Sequence, residues 1–136
     1  MAQDQPRARQ IQAPLSIGEL IDKITILEIK SERMADPKKL LNVRHELAVL
    51  NGIKTAAGLE TPEMAAYATV LRAINGALWD IEDRVRELEA KQDFGGRFVE
   101  LARSVYLTND KRARVKQQIN AAFNSAIVEE KSYRGA

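Results

Sequence analysis

Four side chains on the longest predicted helix have the types and the spacing to form a binding site. At positions i, i+4, i+7 and i+11 of one flank stand Asn75, Trp79, Glu82 and Arg86. This flank is turned by about 80° from the apolar stripe of the same helix, so the four side chains border the core. An amide, a tryptophan, a carboxylate and a guanidinium in one row could bind a ligand. The structural alternative is that Trp79 belongs to the core and that Glu82 and Arg86 form a surface ion pair.

A locally basic segment over residues 97–116 provides a second group of candidates, with six basic residues against two acidic ones. Arg103, Arg112 and Lys116 could bind an anion through charge-assisted hydrogen bonds. Asn109 is predicted at the start of a helix, where free backbone N–H groups favour an anion. Because Arg112 and Lys116 are four residues apart, their charges repel unless an anion or a facing carboxylate relieves them. The structural alternative is a solvated basic face.

The first predicted helix carries a carboxylate close to the middle of its apolar stripe. Glu28 projects beside Ile21 and Ile24, where a charge is costly unless it is paired or protonated. Glu28 could therefore be a buried acid in a pocket. The structural alternatives are a rim position or an ion pair, for which Arg86 and Arg103 are the expected partners.

The same helix has apolar residues on a second side. Ile26 and Ile29 lie away from the main stripe, so the second half of the helix is apolar nearly all round. Such a helix is typically central in its fold or lies at an oligomer interface. Lys23, Lys30 and Arg33 occupy other faces, and we expect their side chains to be solvated.

The composition excludes several kinds of site. The chain has 136 residues, no cysteine and a single histidine, His45, which excludes disulfides, thiolate catalysis, zinc–cysteine sites and histidine metal clusters. It contains neither a glycine-rich phosphate loop nor a serine in a nucleophile elbow. The neighbouring acids Glu82 and Asp83 would point about 100° apart on a helix, which does not make a magnesium cluster. We therefore expect no metal site and no cofactor.

The net charge and the hydropathy restrict the kinds of partner that the chain is expected to bind. The net charge of +2 is too small to indicate nucleic acid or a membrane surface. Aromatic residues make up 5% of the chain, which argues against base stacking on RNA. The first residues lack the apolar run of a secretory signal, and no segment approaches the ~20 apolar residues of a membrane span. We expect a cytoplasmic protein that binds neither nucleic acid nor membrane.

The hydrophobic periodicity predicts an all-α fold, namely a single-domain antiparallel helical bundle of about five helices with a long third helix. Ser16 and Glu19 form a capping box that begins helix 1, and the helix should end near Ala35. The pairs Asp36-Pro37 and Thr61-Pro62 are typical helix starts and should begin helices 2 and 3.

The remaining boundaries are those of the last three helices and of the two ends of the chain. Helix 3 should end near Gln92, helix 4 should cover about residues 97–107, and helix 5 should begin at Thr108 or Asn109. Residues 1–13 are polar and without periodicity, so we expect a flexible N-terminal arm. The helical domain should then occupy residues 14–133, with a short tail over 134–136.

Four segments carry a family likeness: PLSIGELIDKITILEIKSERM (14–34), LWDIEDRVRELE (78–89), FVELARSVYLTNDKRARVKQQIN (98–120) and VEEKSY (128–133). Together they resemble a small bacterial and phage family known only as a domain of unknown function. The resemblance implies a compact, mostly helical domain of unassigned activity. The resemblance also implies a link to a sugar or nucleotide sugar, since members of that family occur near genes for surface-sugar synthesis. The motifs contain many polar residues, Asp22 among them, to which the resemblance gives no role.

A likeness confined to helix 1 concerns the all-α chorismate mutases. The segment ELIDKITILEIKSERM (19–34) is similar to their long first helix, which carries arginine and lysine toward a dianionic substrate. This likeness implies a small mutase or lyase that acts by electrostatic stabilisation. Such an enzyme would hold Glu28 inside a closed pocket together with at least two basic residues.

The leading functional prediction is a domain that binds a small anionic ligand, such as a sugar phosphate or a nucleotide sugar. The predicted ligand-binding residues are Glu28, Trp79, Glu82, Arg86, Arg103, Asn109, Arg112 and Lys116. In this hypothesis the basic residues bind the anion, the tryptophan stacks on a ring, and the glutamates orient the basic groups. The alternatives are the mutase or lyase, and an interaction module or homo-oligomer that uses Ile26 and Ile29.

Overall fold

The computed structural model describes residues 7–134, and this part of the chain contains four α-helices. They are α1 (Ile17–Arg33), α2 (Pro37–Ala56), α3 (Pro62–Ala90) and α4 (Gly96–Ala122). No strand occurs within residues 7–134, and the all-α prediction is confirmed there. The prediction of about five helices is wrong, whereas α3 is the longest helix, as predicted.

The first three helices begin where the sequence predicts. Ser16 Oγ accepts a hydrogen bond of 3.1 Å from the backbone N–H of Glu19. Asp36 and Thr61 cap α2 and α3 through their side chains, and a proline follows each of them. These acceptors satisfy N–H groups that the first helical turn leaves without a partner. Helix α1 ends at Arg33, two residues before the predicted end.

The predicted break between helices 4 and 5 does not exist, because α4 is continuous from Gly96 to Ala122. Thr108 and Asn109 are good helix-capping residues, but neither a proline nor a glycine interrupts the chain there. The buried residues Leu101 and Val115 are fourteen positions apart, close to four helical turns. One unbroken helix therefore keeps both side chains on the face that packs against α3, and this packing overrides the local capping preference.

Helix α1 is central, because it packs against α2, α3 and α4. Its buried residues Leu20, Ile21 and Ile24 form one core with residues of the other elements, namely Leu59, Met64, Leu71, Val115 and Ile119. Among the described helices, α2 packs against α1 alone. The core therefore consists mainly of α1, α3 and α4, with α2 attached to the outer side of α1.

Unequal helix lengths leave part of the α3–α4 pair uncovered. At about 1.5 Å per residue, α1 spans about 26 Å, whereas α3 and α4 span about 43 Å and 40 Å. Helices α1 and α4 run antiparallel, since Glu19 and Asp22 pair with Lys116 and Arg112 in reverse order. The second half of α1 lies beside the middle of α3 and α4, and a groove opens along this edge.

The two ends of the described chain contain no helix. Residues 7–13, the described part of the predicted N-terminal arm, contain no helix or strand, while residues 1–6 of that arm lie outside the described residues. The chain after α4 continues to residue 134 without a further helix, and residues 135–136 of the predicted tail are likewise outside. Within residues 7–134, no helix combines the length and the apolar character needed to cross a membrane.

Candidate functional site

A fully buried carboxylate lies where the three core helices meet. The side chain of Asp22 on α1 is 0% exposed. Arg112 on α4 binds it in a bidentate manner, with Nε donating to Oδ1 at 2.8 Å and Nη2 donating to Oδ2. Asn75 on α3 donates from Nδ2 to Asp22 Oδ1 and to Thr25 Oγ1, both at 2.9 Å. Each core helix thus contributes a polar group to one buried cluster.

The charge of Arg112 is fixed by this cluster. Its hydrogen bonds to Asp22 raise the pKa of Arg112 above its usual range, helped by the charges of Asp22, Glu19 and Glu129 and opposed by burial. A raised folded-state pKa means that the charged form stabilises the fold below the ordinary pKa of a guanidinium. This contribution is lost only as the pH rises through the higher folded value, so Arg112 remains charged at any working pH.

A second ion-pair group lies one turn away toward the start of α1. Lys116 Nζ donates a hydrogen bond to Glu19 Oε2 and lies 3.6 Å from Glu129 Oε2. The acidic residues of α1 are three positions apart and the basic residues of α4 are four positions apart, which matches one helical turn on each side. The like charges that the sequence places together on α4 are therefore each neutralised by a carboxylate of α1.

The Asp22–Arg112 pair adjoins an open groove of about 550 Å³. We call it the α1–α3–α4 groove, and it is lined by Ile26, Ile29, Lys30, Asn75, Leu78, Trp79, Glu82, Asp83, Arg86, Asn109 and Arg112. The isoleucines and the leucine make an apolar wall, and the charged side chains surround it. Grooves of this size, with an apolar wall and a few convergent polar groups, are typical of small-molecule sites.

Trp79 contacts an arginine that does not belong to the groove. The guanidinium carbon of Arg33 lies 5.9 Å from the centroid of the Trp79 ring, within the range of a cation–π contact. Arg33 is itself fixed by a 2.7 Å ion pair with Asp80. Arg33 does not line the groove, whereas Trp79 does. Trp79 is half-buried, so part of its indole ring remains accessible to a ligand in the groove.

The groove contains polar groups that internal contacts leave free. An arginine has five N–H donors, and Arg112 uses three of them, two on Asp22 and one on Asn109 Oδ1 at 3.5 Å. The other two remain for a ligand. Half-buried Lys30 forms no salt bridge with any residue from 7 to 134. On the other side of the groove, Arg86 and Glu82 form an ion pair of 3.7 Å.

The structure brings together five of the eight residues that the sequence analysis singled out. The residues that line one groove are Trp79, Glu82, Arg86, Asn109 and Arg112. The whole polar row of α3 therefore faces the same space as the middle of α4. Asn109 enters this space from the interior of a helix, so it offers its side-chain amide and not the free N–H groups of a helix start.

The other three predicted site residues lie elsewhere. Glu28 is not buried, since its side chain is 39% exposed and lies 4.0 Å from Arg72. Arg103 is exposed and lies nine residues before Arg112, about 13 Å along α4. Lys116 is occupied by two carboxylates. The three predicted anion-binding cations therefore do not converge on one pocket, because Arg103 lies too far along α4 and carboxylates of α1 and of the C-terminal tail already pair with Lys116.

The structure also shows where the residues lie on which the two alternative hypotheses depend. Ile29 is 4% exposed, and Ile26 is half-buried in the wall of the groove, so the second apolar side of α1 is largely used within the chain. Glu28, the acid of the mutase or lyase hypothesis, lies outside the groove. The homo-oligomer stays a prediction that size-exclusion chromatography with light scattering would check.

Sequence reasoning gave no site role to three groups of the cluster and its groove. Asp22 and Thr25 are buried beside the apolar stripe of α1, and Lys30, expected to be solvated, lines the groove. The available indication was the like-charge pair Arg112 and Lys116, which requires a facing carboxylate or anion. Identifying Asp22 as that carboxylate requires knowing which face of α1 packs against α4.

Comparison with known proteins gives a family but no activity. No curated protein and no solved structure matches the chain. A family model matches residues 11–136, which include all four helices and every residue of the groove. This match covers most of the chain, and we conclude that the chain belongs to DUF6165, a family of unknown function.

Proposed function

We propose that the α1–α3–α4 groove binds a small anionic ligand of the sugar phosphate or nucleotide sugar class. The observation that carries the proposal is the position of Arg112. Its guanidinium is held rigidly by the buried carboxylate of Asp22, and two of its N–H groups remain for a ligand in a groove that Lys30 and Trp79 also line.

The groups of the groove suit a phosphate ester with hydroxyl groups. Lys30 and the remaining N–H groups of Arg112 are donors for phosphate oxygens, in charge-assisted hydrogen bonds. On the α3 side, the carboxylates of Glu82 and Asp83 can accept hydrogen bonds from hydroxyl groups. Trp79 offers an aromatic surface for a sugar or base ring. The ligand would thus present its phosphate to α1 and α4 and its hydroxyl groups to α3.

The buried ion pair supports a binding role on energetic grounds. A buried pair contributes little net stability, because desolvating both charges offsets their attraction. A rigid, charged donor beside an open groove is, however, what recognition of an anion requires, since the donor loses little conformational entropy on binding. The Asp22–Arg112 pair is therefore better explained by preorganisation of a binding group than by stability.

The test is a thermal-shift screen followed by calorimetric titration with inorganic phosphate, sugar phosphates, nucleotides and nucleotide sugars. A ligand at about 100 times its dissociation constant stabilises the native state by roughly 2.7 kcal/mol, which is visible as a rise in melting temperature. We expect a shift with at least one phosphate ester, and we expect Lys30→Gln to weaken its binding by about tenfold, as for the loss of one charged hydrogen bond.

Lys23→Gln is the matched control, because Lys23 lies on the same helix, is exposed, and does not line the groove. The two variants have the same net charge, so a nonspecific charge effect would weaken binding equally in both. The proposal fails if no phosphate compound shifts the melting temperature. It also fails if Lys30→Gln and Lys23→Gln bind the ligand equally well.

A further inference from the structure

The chain after α4 is tied to the start of α1. Ser125 Oγ accepts a hydrogen bond of 3.0 Å from the backbone N–H of Ile17. Glu129 accepts a hydrogen bond of 2.7 Å from Ser16 Oγ and pairs with Lys116. These contacts fix the first part of the tail against α1 and α4, so the residues that follow Glu129 have a defined origin.

From this anchor the tail returns along α4 and forms a second pocket of about 460 Å³. We call it the tail pocket, and its polar and aromatic residues are Tyr106, Asn109, Asp110, Lys131, Tyr133 and Arg134. The two tyrosines are 53% and 62% exposed, so their rings are not used in the core. Two cations and one carboxylate give the pocket a positive balance.

Asn109 lines both the tail pocket and the α1–α3–α4 groove. Tyr106, Asn109 and Arg112 follow one another at intervals of three residues on α4, so they form an inclined row across its surface. The row from Tyr106 to Arg112 covers about 9 Å along the helix axis. The two cavities are therefore neighbours that share Asn109, which lies in this row between Tyr106 of the tail pocket and Arg112 of the α1–α3–α4 groove.

Aromatic side chains of the two cavities and the polar side chains of Asn109 and Arg112 can together bind a ligand that has rings and a phosphate group. We propose that the tail pocket is a second subsite of the same binding site, and that the ligand has two ring moieties joined by a phosphate linkage. The linkage lies at Arg112 and Asn109, one ring lies on Trp79, and the other ring lies against Tyr106 and Tyr133. This inference rests on the proposed function, and it narrows the ligand class from sugar phosphates and nucleotide sugars to compounds with two rings joined by a phosphate linkage.

The charges of the tail pocket agree with a ring attached to a phosphate. Lys131 Nζ lies 5.6 Å from the centroid of the Tyr133 ring, a cation–π contact that covers at most one face of this exposed ring. Arg134 adds a second cation. Stacking of a ring on an aromatic side chain tolerates many ring types, so the tail pocket selects the presence of a second ring more than its identity.

The test compares two probes that share one sugar phosphate: glucose 1-phosphate and uridine diphosphate glucose. Dissociation constants are measured by calorimetry for the full chain and for Tyr133→Ala and Tyr106→Ala. We expect the longer probe to bind the unmodified chain at least about tenfold more tightly, the factor typical of one stacked ring. Each tyrosine variant should lose most of this advantage, with little change for the shorter probe.

Val128→Ala and Leu107→Ala are the matched controls, because both residues are exposed, lie on the same two segments, and do not line the tail pocket. Melting temperatures should be unchanged in all four variants, since the replaced side chains are exposed. Equal affinity for the two probes overturns the second subsite alone, as does an advantage that survives in both tyrosine variants. If neither probe binds while another phosphate ester stabilises the chain in the thermal-shift screen, the second subsite alone is overturned. If no phosphate compound binds, the proposed function fails together with the subsite.

Discussion

Loss of Arg112 should strongly destabilise the fold. Replacing it with alanine leaves the carboxylate of Asp22 buried and without its charged partner. Removing one partner of a buried ion pair typically costs about 3–5 kcal/mol. We expect Arg112→Ala to lower the free energy of unfolding, measured by urea denaturation, by about this amount. Arg112→Lys should lie in between, since an ammonium cannot reproduce the bidentate geometry.

The control for this prediction is Arg114→Ala, an equal change of charge at an exposed position two residues further along α4. It should alter the free energy of unfolding by less than about 0.5 kcal/mol. Asp22→Asn should cost less than Arg112→Ala, because Arg112 is 28% exposed and can turn toward water. If Arg112→Ala and Arg114→Ala are equally stable, the buried pair does not contribute as described.

At this scale the sequence predicts the types of the site residues better than their partners. The row on α3 could be found because the 3.6-residue period alone places Trp79, Glu82 and Arg86 on one flank. The partner of Arg112 could not be found in this way, since Asp22 is ninety residues away and meets it only through helix packing. Glu28 was misplaced for the same reason, because a small rotation of α1 decides whether it faces the core or Arg72.

At the scale of the helices, the crossing of α1 and α4 depends on one glycine. A Cβ atom added to Gly18 would lie 2.5 Å from the backbone oxygen of Lys116. The backbone N–H of Gly18 donates to Asn120 Oδ1 at 2.6 Å, so the two helices are held close at this point. We expect Gly18→Ala to destabilise the fold by about 1–3 kcal/mol, as is typical of overpacking.

Gly52→Ala is the matched comparison for this substitution. Gly52 lies inside α2, and an added Cβ atom would meet nothing within 4 Å. Alanine should therefore stabilise the fold by about 0.5–1 kcal/mol, since it is the better helix former. Urea denaturation of both variants separates the steric effect from the helix propensity. A shift of the same sign in both variants would contradict a close crossing at Gly18.

The helix boundaries show which elements local sequence can determine. The starts at Ser16, Asp36 and Thr61 are each marked by a side-chain cap, and all three are observed where predicted. The capping residues at Thr108 and Asn109 instead led to a wrong break. A proline follows the caps of α2 and α3, and Pro14 lies two residues before the cap of α1, whereas α4 contains no proline. A capping residue alone permits a helix start, and packing against α3 decides that α4 continues.

At the scale of the whole molecule, α2 should be the least stable helix. It packs against α1 alone among the described helices, and Val43 is its single buried residue. The other three helices share the core around Leu71 and Ile119. Regions with few buried apolar contacts open locally at a lower free energy than global unfolding. We therefore expect the amides of α2 to exchange with solvent hydrogen through a partial opening that leaves α3 and α4 folded.

Native-state hydrogen exchange with increasing denaturant measures the free energy of opening of each helix. The Ile119→Val variant tests whether α2 opens separately from α3 and α4. The variant should lower the free energy of global unfolding by about 0.5–1.5 kcal/mol, the usual cost of one buried methyl group. Protection of the α3 and α4 amides should fall by that amount. Protection of the α2 amides should remain unchanged, because Ile119 keeps its contacts when only α2 opens. Equal losses in all four helices would mean that the fold opens as one unit and that the groove loses its walls whenever α2 detaches.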